Sequence, residues 1–204
     1  MSQLKPSKTA ENPNKPQRWL LIFSAVCLLV AVSFLFLTYQ PILLEEARYL
    51  ITKKTNQIKP VNKEFGIIIP KINANARIIR DVNPYVSAIY QQALSQGVAH
   101  AQGTGLPGEK ANIFLFAHSS GNWYQANRYN SVFYLLYKLE KNDEIRVYFR
   151  GALHKYKVDK LTYVEVDEVS YLNRQALEET LTLMTCWPPG TTAKRLIVTA
   201  KKVR

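Results

Sequence analysis

Residues 19–39, WLLIFSAVCLLVAVSFLFLTY, contain no charged side chain in 21 positions. A helix of that length rises about 31 Å, against about 30 Å for the hydrocarbon core of a bilayer, so the run reads as a transmembrane helix. It divides the chain into a basic tail at 1–18, the span at 19–39, a linker at 40–63 and a folded domain at 64–204. A cleaved signal peptide is the competing reading, but its apolar region is about 7 to 15 residues long and ends at a small-residue site. The only passable site, Ala31-Val32-Ser33, is followed by more membrane-like sequence. The tail carries Lys5, Lys8, Lys15 and Arg18 against Glu11. Positive-inside bias then keeps the N-terminus cytoplasmic and makes the chain a single-pass membrane protein with its domain outside the cell. Arg48, Lys53 and Lys54 on the far side weaken that asymmetry without reversing it.

The polar, proline-bearing tail has too little apolar surface to fold alone. Residues 41–54, PILLEEARYLITKK, suit a short continuation helix inside the linker. What remains is long enough for one core. The formal charge of +12 suits an anionic envelope surface. No nucleic-acid-binding motif accompanies it, so no nucleic-acid partner is expected.

From residue 64 the pattern is mainly β. Strands are expected near 65–69 and 77–79, then a helix from Pro84 to Leu94 with proline in its first turn. Gly97 to Ala111 reads as loop, and NIFLFA at 112–117 as a buried strand that delivers His118 to its end. A polar loop, SSGNWYQANRYN, follows. Phe133–Leu139 suits a short helix, 144–150 and 152–159 a hairpin around Gly151, 161–166 a further strand, and 173–179 one or two helical turns. Many short strands with few helices suggest a closed or nearly closed barrel.

The last stretch carries the chemistry. Thr180 to Leu183 alternate polar and apolar, RLIVTA at 195–200 is rich in branched residues, and Trp187-Pro188-Pro189-Gly190 stops the first of these strands. Paired as a hairpin with residues 187–194 as the loop, they bring Cys186 opposite Arg195. A free thiol ionises near pH 8.5, and a neighbouring cation favours the nucleophilic thiolate. A guanidinium would also stabilise an oxyanion on an attacked carbonyl. Cys27 lies within the apolar span, so no intramolecular disulfide is expected and Cys186 is a lone thiol. Of the three histidines, His154 sits in strand sequence and reads as a surface or packing residue, and His100 as a structural hydrogen-bonding group. His118, aimed by a buried strand, is the better proton carrier.

TLMTC at 182–186, followed nine residues after the Cys by the Arg of RLIV, resembles the signature of the sortase family. IPKI at 69–72, GVAHAQGTGLPGE at 97–109, NIFLFAH at 112–118 and the F-Y-x-L-x-x-L pattern with an acidic turn from Phe133 to Asp143 extend the resemblance over most of 64–204. The resemblance implies an eight-stranded sortase-like β-barrel with short helices and a cysteine transpeptidase tethered to the outer face of the membrane. Carried over by position, His118 is the general acid/base, Cys186 the nucleophile, Arg195 the oxyanion or substrate-positioning group, and Thr185 helps orient substrate. The sequence AHSS at 117–120 departs from the glycine that many members carry before the His.

Implied partners are surface-protein precursors with a C-terminal sorting signal similar to Leu-Pro-x-Thr-Gly, and an amine acceptor, either a cell-wall precursor or a pilin lysine. No cofactor or metal is expected. Glu165, Asp167 and Glu168 are similar to the acidic calcium loops of some sortases, but as residues they read as a solvated strand end. Two other readings compete: a membrane-tethered cysteine peptidase that lets water complete the reaction, and a non-enzymatic surface scaffold.

Overall fold

The structure is a computed structural model that describes residues 19–36, 58–119, 132–172 and 175–203. The tail at 1–18, the last three residues of the expected span, the linker to residue 57 with its continuation helix, and the polar loop beyond Ser119 lie outside the described residues. Two units are described, each by itself: a lone helix and a barrel.

The helix α1, Trp19–Phe36, is long and apolar enough to cross a membrane, and all its residues are exposed. Its 18 residues rise about 27 Å.

In the second unit, eight strands close into a barrel in the order β1-β2-β3-β4-β7-β8-β6-β5. They are β1 Phe65–Ile69, β2 Ala74–Val82, β3 Val98–Ala101, β4 Asn112–Phe116, β5 Glu144–Phe149, β6 Ala152–Val164, β7 Thr180–Trp187 and β8 Lys194–Lys202. One helix, α2 at Ser87–Leu94, and 3-10 turns at Pro70–Ile72 and Leu136–Lys138 complete the regular elements described. All pairings are antiparallel except β2 with β3 and β4 with β7. Alternate residues fill the interior, among them Ile67, Val147, Leu181, Leu183, Leu196 and Val198, all fully buried. Closure leaves no free sheet edge.

The barrel corrects several local expectations. Val98–Ala101 is a strand inside the stretch expected to be loop. All four of its residues are buried, so the polar/apolar alternation that betrays a half-buried strand is missing. The two strands expected at 152–159 and 161–166 are one, β6, because the polar pair Asp159-Lys160 forms an irregularity in the pairing with β8 rather than an end. Residues 175–179 are not helical; Leu177 is 95% exposed, and a helix there would have no apolar face to bury. The helix expected over 133–139 is only the 3-10 turn, and α2 begins at Ser87 rather than in the turn at Pro84. Strand β7 runs through Trp187, shortening the hairpin loop to 188–193.

Candidate active site

Strand pairing decides which chemical groups meet. The parallel ladder of β4 on β7 keeps a constant offset from Asn112 opposite Thr180 to Phe116 opposite Met184. One residue further, the Ala117 N–H donates to Met184 O at 3.2 Å, and the Thr185 hydroxyl donates to Ala117 O at 2.9 Å. His118 stands two residues past the end of β4, where the same offset, if continued, points to Cys186. On the other side of β7, the antiparallel pairing with β8 sets Arg195 opposite Cys186. Cys186 therefore lies on a strand between the two elements that carry the histidine and the arginine.

Cys186 and Arg195 share a face. Leu181, Leu183, Leu196 and Val198 point into the barrel, so Cys186 and Arg195 stand on its outer surface. Phe116, in line with Met184 on that surface, is covered by Tyr90 of α2 at a ring distance of 6.4 Å. His118 follows it and is half-buried, and this burial lowers its proton affinity below that of an ordinary imidazole. Arg195 Nη1 donates to Cys186 Sγ at 3.5 Å and also lies 3.2 Å from Lys194 O and 3.4 Å from Thr192 O. The guanidinium is thus tied to its own loop while it faces the sulfur. Both cysteines are free, and Cys27 lies on α1.

Thr185 is only 3% exposed, and its hydroxyl braces the end of β4 against β7. The opposite end of that ladder is pinned by Asn112, which the motif reading did not single out. Its Oδ1 accepts from Thr182 at 2.8 Å and Thr180 at 3.2 Å, and its amide donates to Tyr171 O at 3.1 Å. The alternating threonines of β7 are the only local signal of such a partner. Trp187, expected in the loop, sits in the strand with its ring 5.2 Å from Tyr137 and 5.1 Å from Tyr163.

The other histidines stand elsewhere. His100 is buried in β3, where Nδ1 accepts from the Asp81 N–H at 3.3 Å and Nε2 lies 3.0 Å from Gly105 O, the neutral tautomer that donates there. Burial lowers its pKa too. His154 accepts from Lys202 at 2.7 Å, and Lys202 also bonds Glu179, which receives the Tyr156 hydroxyl and the Gly108 N–H. That group lies at the far end of β7, about 23 Å along the strand from Cys186. Glu165 pairs with Lys194 at 3.0 Å and the Glu168 carboxylate accepts from Ser170 N–H. Among the described residues no three His, Cys, Asp or Glu side chains are grouped as metal ligands.

Comparison with known proteins matches this region. A family model described as the sortase domain matches residues 67–203. Sortase D of Bacillus subtilis (strain 168) is 31% identical over 142 residues, or 68% of this chain; the match spans 63% of that relative's length. Among solved structures, sortase C-1 of Actinomyces oris (formerly Actinomyces naeslundii) is 30% identical with a TM-score of 0.59, covering 77% of this chain and 80% of its own. A lid mutant of sortase A from Corynebacterium diphtheriae is 26% identical with a TM-score of 0.57, covering 76% and 77%. Since the family model runs from the middle of β1 to the residue after β8 and takes in every strand of the barrel, the chain belongs to the sortase family.

Proposed function

We propose that this chain is a cysteine transpeptidase that cleaves a C-terminal sorting signal similar to Leu-Pro-x-Thr-Gly and transfers the acyl fragment to an amine of the cell envelope. The observation that carries the reading is the 3.5 Å contact between Arg195 Nη1 and Cys186 Sγ, on a strand paired with β4, two residues beyond whose end His118 stands. Family membership supplies the reaction class, and the site residues supply its steps.

Cys186 is the nucleophile. Its thiol proton passes to His118, which burial keeps mostly neutral and ready to accept it. The sulfur attacks the carbonyl carbon of the scissile bond, and the negative charge that develops on the carbonyl oxygen falls to Arg195. Collapse of the intermediate breaks the C–N bond, and His118 gives its proton to the departing amine. The acyl group now forms a thioester on Cys186. A second amine attacks it, neutral His118 takes the amine's proton, and the sulfur leaves as thiolate and is reprotonated. Thr185 orients substrate indirectly, by holding the end of β4, and hence His118, against the strand of Cys186. The helix α1 tethers the enzyme, with the basic tail inside the cell and the barrel outside.

The test uses the full chain in detergent micelles with a library of sorting-signal peptides and a free amine. Intact mass reads the thioester on Cys186, and chromatography separates the transfer product from the hydrolysed one. Cys186→Ala abolishes cleavage and transfer, while Cys27→Ala stays near wild type. Activity retained in Cys186→Ala would sink the assignment, and hydrolysis unaffected by added amine would make the enzyme a peptidase.

A further inference from the structure

Strand β6 carries Lys155, Lys157 and Lys160, all exposed and without an ion-pair partner among the described residues. Their cross-strand neighbours make the arrangement unusual. Lys155 stands directly opposite Arg146 of β5, while Lys157 lies between Glu144 of β5 on one side and Lys201 of β8 on the other. Like charges facing each other across a ladder destabilise a sheet, and lysine is disfavoured in strands. The countercharges are few: Glu144 pairs with Arg146 and is also the cross-strand neighbour of Lys157, and Asp159 lies 3.6 Å from Lys201. Five cations thus share one outward surface with two carboxylates. A closed barrel has no edge for these lysines to protect, which removes the usual structural reason for placing charge on a strand.

We propose that this strip binds a linear polyanion whose charges are phosphates, of the kind built from a phosphodiester-linked polyol in a cell envelope. The three lysines of β6 span about 17 Å, with same-face positions about 7 Å apart, so they form a row rather than a point site. Between Lys155 and Lys160 the large apolar side chains, Tyr156 and Val158, are turned inward and buried, so nothing there can enter a lipid phase. A row of cations on a convex barrel follows a flexible chain and touches a flat bilayer only at its crest. The strip is separate from the proposed catalytic residues: none of its five cations is in register with Cys186, Arg195 or His118. Its role is to hold the barrel along such a polymer while the site works.

The experiment uses the full chain in nanodiscs of zwitterionic lipid, with fluorescent poly(glycerol phosphate) as the probe and salt varied. The variants are Lys155→Gln/Lys157→Gln/Lys160→Gln and a charge-matched control on exposed lysines elsewhere, Lys59→Gln/Lys110→Gln/Lys141→Gln. The strip variant loses at least about tenfold in affinity and its salt slope falls by about two units, as expected for three lost phosphate contacts on a single chain. The control loses less than about threefold. The substitutions relieve Lys155 facing Arg146 and Lys157 facing Lys201 but also remove the cation opposite Glu144, so the strip variant melts close to wild type and its binding is compared with folded protein. Equal losses in the two variants, or unchanged binding in the strip variant, would each overturn the proposal. So would tighter binding of single-stranded DNA, or a strip-dependent preference for phosphatidylglycerol nanodiscs, which would assign the surface to nucleic acid or to the membrane.

Discussion

Replacing Arg195 with lysine separates the two things a guanidinium 3.5 Å from the Cys186 sulfur can do. As a charge beside a thiolate it is worth on the order of 1 kcal/mol in a water-like setting and about 4 kcal/mol at an effective dielectric of 20. Both side chains are part-exposed, so the lower figure governs. A lysine ammonium retains much of that attraction, and a charge-only role leaves Arg195→Lys within about tenfold of wild type. As an oxyanion donor the group acts through a planar fork held in place by Lys194 O and Thr192 O, which a single ammonium on a flexible stem cannot reproduce. Removing such a donor costs about 2.7 to 4 kcal/mol, or about 100- to 1000-fold in rate. We expect the larger loss in single-turnover acylation by a sorting-signal peptide, with Arg195→Ala losing at least as much. The rate of Cys186 alkylation against pH, measured alongside, reports the charge effect separately. Wild-type acylation by Arg195→Lys would refute the oxyanion role; slow acylation with an unchanged alkylation profile would remove thiol activation as the main explanation.

Thr185→Val, nearly isosteric, deletes the hydroxyl that braces Ala117 O and should cost about 1 to 3 kcal/mol of stability together with a fall in kcat, which Thr185→Ser restores. A raised KM at unchanged stability would instead mean that the hydroxyl binds substrate directly. Burial lowers the pKa of His100, His118 and His154, so the folded state binds fewer protons than the unfolded chain once pH falls below the ordinary imidazole value of about 6.5. The thermal midpoint should therefore be flat above about pH 7 and fall progressively below about pH 6.5, and His154→Gln should shrink the drop; a midpoint that rises on acidification would contradict the sign. Protease added to intact cells should digest the barrel, and digestion of the tail with the barrel protected would reverse the orientation.

Short-range pattern alone was enough for the apolar run of α1, the buried run of β4, the alternation of β7 and the assignment of Cys186, Arg195 and His118 to strand ends. Each of these depends on neighbours a few residues apart, through hydrogen bonding along a helix or the two faces of a strand. The same reasoning had no purchase on β3, whose residues are buried on both faces, nor on the continuity of β6, where a polar pair forms an irregularity that looks like a stop. It also could not find Asn112 as the pin of the β4–β7 ladder, or the like charges that face each other across β6, since neither exists until strands distant in the chain are paired. The match of Cys186 with Arg195 follows from one hairpin and was legible in advance. The alignment of His118 with Cys186 is different in kind: a one-residue slip of the parallel ladder would turn the histidine to the other face. The β4–β7 ladder and the hydrogen bonds of Asn112, Ala117 and Thr185, all made between residues far apart in sequence, choose that register.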